Sequence, residues 1–364
     1  MAKRTERYLE VAEQSVRISS PDKPWFPDAG LTKWDVVQYW LQVAEGAVRG
    51  VCGRPMALER FVKGMAEPPF YQKRVPKNRP DYVETVVLKY PSGRSAEEIV
   101  VQNLAQLLYV VNLGCFSLHP HAVRKDDLHH PDELRIDLDP VPGVPWSQVR
   151  DVALVVREVL HEHELVGWPK TSGKRGLHIW VRIAPQWTFD EVRKAALAVA
   201  VEVARRTPDL ATAAWWKEER HGVFVDYNQN AKDHTMAAAW SVRPTPQAQV
   251  SMPLSWDAVP DSDPTAYTVR TAPGLIADHG DPHAAIDDAV GDLTSLLALR
   301  EDQERDAPDD DPNRPAPTAG RRTSTKPLII IGESDDEAAA MAGLERFKSA
   351  HPKVVEHLAP HHVL

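Results

Sequence analysis

The stretch Leu134-Arg135-Ile136-Asp137-Leu138-Asp139-Pro140 constrains the fold more than any other in this chain. Apolar residues at 134, 136 and 138 alternate with polar ones, which is the period of a strand with one buried face. Residues two apart on a strand share a face, so Asp137 and Asp139 project together while Ile136 and Leu138 enter a core. Two adjacent carboxylates raise each other's proton affinity unless a cation sits between them. Hard oxygen donors of this kind suit magnesium or manganese. A lone Asp-x-Asp is more often a pair of surface acids on an edge strand, so the motif needs company.

The flanking patterns supply an architecture. Helical periodicity is expected over Thr32–Val48, with Thr32 as cap, and over Val100–Leu113, Val149–Leu165 and Asp190–Arg206. Strand patterns fall at 131–139, Gly176–Ile183 and Gly222–Tyr227. Strands and helices alternate, so the class is α/β or α+β rather than a bundle. With 364 residues and 43% hydrophobic content, the chain can fill one large or two modest cores. Composition changes near residue 301, which predicts a domain over 1–300 and an acidic, then Pro/Arg/Thr-rich linker over 301–326. A small appendage over 327–364 follows, with a strand at Leu328–Ile331 and a helix at Asp335–Ser349.

Bulk properties narrow the function classes. No apolar run approaches the length of a membrane span, and Met1–Glu10 is charged without a signal-peptide core, so a cytoplasmic protein is expected. Cys52 and Cys115 are too few for a disulfide framework or a Cys-rich zinc site. The net charge of −9 argues at first against nucleic acid, but Glu301–Pro312 alone holds seven acids and one base. Residues 1–100 carry 16 Lys/Arg against 13 Asp/Glu. Lys73, Arg74, Lys77 and Arg79 cluster there around Phe70 and Tyr71, a mixture suited to single-stranded or gapped DNA and equally to a solvated loop.

Two further segments accompany the acid pair. Thr171-Ser172-Gly173-Lys174-Arg175-Gly176-Leu177-His178 offers small residues, a hydroxyl and cations for a phosphate. It is not a Walker loop, because Gly-Lys-Ser/Thr is absent and a strand follows; alone it is also a plausible basic hairpin turn. In Val223-Phe224-Val225-Asp226-Tyr227, Asp226 closes an apolar strand. Three carboxylates, two on one strand and one on a neighbour, suit a pair of metal ions that activate a primer 3′-hydroxyl and neutralise a triphosphate.

Together these segments resemble the polymerase domain of bacterial ligase D, within the archaeo-eukaryotic primase superfamily. The resemblance runs in order over residues 15–300. It includes Asp22-Lys23 with Phe26-Pro27, Thr32-Lys33, Phe70-Tyr71-Gln72-Lys73, Val111-Asn112-Leu113-Gly114 and Leu118-His119-Pro120. It continues through the three segments above to Ser241-Val242-Arg243 and Pro253-Leu254-Ser255-Trp256. The resemblance implies a two-module primase-polymerase core, one module RRM-like, with a metal cleft between them. It implies Asp137, Asp139 and Asp226 as ligands of two manganese or magnesium ions. Ser172, Arg175, His178 and Arg243 would hold the triphosphate of an NTP or dNTP, with His119 near the nucleotide. Lys23 and Lys33 would hold a 5′-phosphate across a gap, Phe70 and Tyr71 would stack at the templating position, and Lys73 would add to DNA binding.

Two departures stand out: Ser20 replaces the family's Asn before Asp22-Lys23, and Arg175 replaces its usual Lys. With no ligase or nuclease segment in the sequence, the expectation is a stand-alone, actinobacterial Prim-PolC-like enzyme. Such an enzyme would fill short gaps with ribonucleotides and work with a separate ATP-dependent DNA ligase, in base excision repair or non-homologous end joining. De novo priming, a metal-dependent nuclease and a non-catalytic DNA-binding scaffold for a ligase stay open as alternatives.

Overall fold

A computed structural model describes residues 5–90, 93–306 and 345–346. The chain divides into two compact units, Met1–Asn313 and Arg314–Leu364. In the second, only residues 345–346 are described, so the expected strand at Leu328–Ile331 and nearly all of the expected helix at Asp335–Ser349 lie outside the described residues.

The first unit opens with two short hairpins, β1 (Glu6–Val11) with β2 (Gln14–Ser19) and β3 (Pro24–Phe26) with β4 (Leu31–Thr32). Helix α1 (Lys33–Gln42) follows, and Thr32 caps it in a full capping box with Asp35. The single helix expected over Thr32–Val48 is broken: Val43 leaves the helical region and α2 runs Ala44–Val51. A side chain at Gly46 would meet Trp240 at 2.4 Å, so α2 lies against that ring only because Gly is there. Then come β5 (Pro55–Arg60), β6 (Phe70–Gln72), β7 (Thr85–Lys89), β8 (Ser95–Val100), α3 (Leu104–Asn112) and β9 (Leu118–Pro120). The strand β8 takes residues up to Val100, so the helix expected from Val100 starts later, where the Asn103 side chain accepts from the Gln106 amide. These strands form a sheet in the order β6-β5-β8-β7, with β9 also on β5.

The second sheet carries the acid pair. Its elements are β10 (Glu133–Pro140), α4 (Trp146–Glu162), β11 (Trp168–Thr171), β12 (Leu177–Ile183), α5 (Phe189–Arg206), β13 (Ala211–Thr212) and β14 (Val223–Asp226). The order in space is β11-β12-β10-β14-β13. With its β10-α4-β11-β12-α5-β14 sequence and β10 at the centre, this is a β-α-β-β-α-β arrangement. Leu134, Ile136 and Leu138 are fully buried in one core that spans both sheets, each contributing about 1.5–3 kcal/mol. Helix α4 supplies Val149, Val152, Val156, Val159 and Leu160, a three-and-four spacing, and packs with α5 on β10.

Helix α6 (Ala272–His279), a short β15 (Val290–Gly291) on β12, and α7 (Thr294–Asp306) complete the unit. The expected linker start at 301 is too early. Helix α7 runs to Asp306, because Leu296 and Arg300 are buried and Gln303 donates to the Ala198 carbonyl of α5. Seven α-helices and two main sheets among the described residues make this a mixed α and β fold.

Candidate active site

Register across the second sheet builds a row of side chains. Asp137 of β10 is paired with Asp226 of β14 on one side and with His178 of β12 on the other. His178 is in turn paired with Lys170 of β11. Directly opposed residues share a face. The row Lys170–His178–Asp137–Asp226 therefore crosses four strands, and Asp139 lies two residues along the same face. Asp137 is pushed up to about 8, by burial first and then by the charges of Asp226 and Asp139. Asp139, at the exposed lip, is raised too: burial acts first, Arg175 opposes it, and Asp226 adds to it.

Among the described residues, no three His, Cys, Asp or Glu side chains converge tightly enough to hold a metal ion as they stand. Asp226 turns its oxygens to its own turn, accepting from the Asn228 amide at 2.8 Å and from Gln229 Nε2 at 3.0 Å. The donor set nevertheless fits a divalent cation: three carboxylates share a face, and a cation among them would relieve their mutual repulsion.

Beside the row, Ser172–Gly176 is a tight turn joining β11 to β12. Ser172 Oγ accepts from the amides of Lys174 (3.2 Å) and Gly176 (3.0 Å), so its hydroxyl shapes the turn. Its single O–H hydrogen remains to donate. Gly173 sits at φ +69°, and a Cβ there would meet Arg243 Cγ at 2.3 Å. Gly176 is bound as tightly, with the Leu138 carbonyl 2.4 Å from where a Cβ would be. These glycines let Arg243 and β10 approach the turn. Arg175 is exposed near Asp139, while His178 is buried with Nε2 3.5 Å from Asp137 Oδ1.

The first sheet contributes a polar chain to the same region. Arg243 Nη1 donates to Ser117 Oγ (3.2 Å), and Ser117 Oγ contacts His119 Nε2 (2.8 Å). That nitrogen also stands 3.3 Å from Glu59 Oε2, and the Tyr71 hydroxyl donates to Glu59 Oε1 at 3.1 Å. Burial depresses His119, while its hydrogen bond to Glu59 works against that. The expected His119, Arg243 and Tyr71 are thus brought together. Phe70 and Tyr71 are 48% and 71% exposed, open to a stacking partner.

Other expectations are placed differently. Lys33 is buried and spends its three donors on Ser19 O (2.8 Å), Asn112 O (2.9 Å) and Asn112 Oδ1 (2.6 Å), so no hydrogen is left for a phosphate. Burial, then the charges of Lys23 and Arg17, bring it down to about 7. Lys23 is nearby and reaches the Val62 carbonyl at 2.7 Å. Lys73 lies over the Tyr90 ring at 4.0 Å, and Arg79 pairs with Glu97, so part of the basic cluster is already engaged.

Sequence reasoning missed Lys170, Glu59 and Ser117. A signal for Lys170 existed: counting outward from the Ser172–Gly176 turn pairs Thr171 with Leu177 and Lys170 with His178. Nothing in the sequence marked Glu59, whose place depends on the pairing of β5 with β6 and β9.

Comparison with known proteins gives the chain a family. Residues 32–283 match the LigD primase-polymerase domain. The multifunctional non-homologous end joining protein LigD of Mycolicibacterium smegmatis is 30% identical over 302 residues, 81% of this chain and 39% of that protein. The bifunctional LigD of Bacillus subtilis is 27% identical over 280 residues, 76% of this chain and 45% of that protein. The chain thus spans less than half the length of these relatives. The polymerase domain of Mycobacterium tuberculosis ligase D, solved in complex with DNA, superposes with a TM-score of 0.70 at 28% identity, covering 76% of this chain and all of that one. This chain therefore belongs to the LigD primase-polymerase family.

Proposed function

We propose that this protein is a template-directed nucleotidyltransferase that fills short gaps during DNA repair. The observation that carries the reading is the placement of Asp137, Asp139 and Asp226 on one face, bordered by His178, the Ser172–Gly176 turn and Arg243. We read the β-α-β-β-α-β sheet as the RRM-like module and the space between the two sheets as the cleft. Asp137, Asp139 and Asp226 would hold two manganese or magnesium ions. When bound, such ions lower the pKa of a primer 3′-hydroxyl and neutralise a triphosphate.

The chain's own residues position the reactants. Ser172, Arg175, His178 and Arg243 bind the triphosphate, and His119 orients the nucleotide. Phe70 and Tyr71 stack on the template base, and Lys73 adds backbone charge. Lys23, half-buried, offers the cation for a downstream 5′-phosphate, with Lys33 beneath it held by Ser19 and Asn112. Catalysis then rests on in-line positioning. The relatives' names point to end joining and the matched structure holds DNA, which supports repair as the setting. Ribonucleotide preference and partnership with a separate ligase belong to the same proposal.

Primer extension across a one-nucleotide gap tests it, with ribo- or deoxyribonucleotides and either metal. A downstream 5′-phosphate is expected to raise extension, and Lys23→Ala to remove that gain. Equal extension with and without the phosphate sinks the gap-recognition claim; no nucleotide addition at all sinks the enzyme claim.

A further inference from the structure

We propose that Lys170 is a positioning residue for nucleotide addition, holding Nδ1 of His178 so that the Nε2–H of that ring faces Asp137 and the triphosphate site. The proposal rests on the function assigned above and deepens it.

Lys170 has 0% exposure, a place where lysine is rare unless it is fully partnered. Its Nζ contacts His178 Nδ1 (2.6 Å), the Ala237 carbonyl (2.7 Å) and Ser251 Oγ (2.8 Å). The Ala237 carbonyl can only accept. Ser251 Oγ donates its one hydrogen to the Thr171 carbonyl at 2.7 Å, so it too accepts from Lys170. Burial draws Lys170 well down from its ordinary value, and the three acceptors around Nζ are the partners an ammonium needs to stay charged there. An ammonium has no lone pair, so with the Ala237 carbonyl and Ser251 Oγ taking two N–H groups, Nδ1 accepts the third and the ring hydrogen sits on Nε2, 3.5 Å from Asp137 Oδ1. The Trp180 ring, 4.8 Å from Nζ, adds cation–π support to the buried charge.

This arrangement fixes both ring orientation and tautomer, as partners of metal-site histidines do elsewhere. It also ties the nucleotide site to segments distant in sequence, since Ala237 and Ser251 hold Lys170 from the far side.

The test uses the full chain with magnesium present and 15N-labelled histidine, the His178 signals being identified by their loss in His178→Gln. Wild type is expected to show His178 with Nε2 protonated and Nδ1 as a hydrogen-bonded acceptor. Lys170→Met, which keeps the apolar stem, is expected to shift these signals toward a mixture of tautomers. In primer extension, Lys170→Met should raise the nucleotide KM by about 10- to 100-fold with kcat changed far less. Combined with His178→Gln, it should cost nothing beyond His178→Gln alone.

A wild-type spectrum with Nδ1 protonated overturns the proposal, and that measurement does not depend on any variant folding. Unshifted His178 signals in Lys170→Met, or losses that add in the double variant, overturn it as well. An enzyme that adds no nucleotide would refute the function above, while the spectrum would still decide the role of Lys170.

Discussion

Near its start, β10 sets the carboxylate of Glu133 among three guanidinium groups. Arg54 lies 3.0 Å away, Arg135 donates twice to Glu133 Oε2 at 2.6 and 2.9 Å, and Arg182 donates to Oε1. Four residues on, along the same face, Asp137 looks across at Asp226 instead. Burial acts to raise both acids. At Glu133 the arginines outweigh it and hold the carboxyl far below its ordinary range. At Asp137 the like charges add to it, and the group rises to about 8. One end of the strand is closed, its charges spent on joining the sheets; Arg135 also donates to the Pro120 carbonyl of β9. The other end is left with a deficit of positive charge. A cavity of about 570 Å3 lined by Arg124, Asp127, Asp132, Arg182 and Asp287 lies at the closed end and holds none of the expected site residues. A cavity is therefore a poorer guide here than an unpaired row of acids.

The two ends should respond oppositely to substitution. Asp137→Asn is expected to lower nucleotide addition about a thousandfold or more, since several kcal/mol of charge stabilisation goes with the ligand. The metal-free variant should melt no lower than wild type, because a repulsion has been removed. Glu133→Gln should do the reverse. It strips a buried partner from three arginines and should cost about 3–5 kcal/mol in denaturant unfolding, while the folded fraction keeps its activity. If Glu133→Gln left stability unchanged, the closed end would not be structural.

A smaller effect separates the ends by pH. Asp137 has a folded pKa raised to about 8 from 3.8, so between those values the native state binds the extra proton. Stability of the metal-free protein should therefore decline as pH rises from about 4 to 8, relative to Asp137→Asn, and level off above that. Glu133 is shifted down, so its contribution is present above about 4.5 and is lost on acidification toward the folded value. Melting curves of wild type and both variants across this range check the two signs. Magnesium should abolish the first decline, since the cation replaces the proton.

Much of this was legible in the sequence. The alternation at 134–138 and the apolar spacing of α4 are local, and local patterns survive into the fold. That Asp137, Asp139 and Asp226 share a face was readable because strand period and motif agreed. The break at Val43 was not, and neither was the approach of Trp240 to Gly46, almost two hundred residues away in the chain. The engagement of Lys33 was hidden for a related reason. Its phosphate role was expected from motif position, while its availability was decided by Asn112 and Ser19, which fold around it. Charge type can be read from sequence; whether a charge is already spent depends on tertiary partners.

We propose that the row of Asp137, Asp139 and Asp226 is a cation site. Titrating manganese into the metal-free protein and following the free ion by electron paramagnetic resonance tests it directly. Wild type should take up manganese and release protons at pH 7, and Asp137→Asn should bind far more weakly with little proton release. Equal binding by wild type and Asp137→Asn, or no uptake by either, would rule out a cation site there.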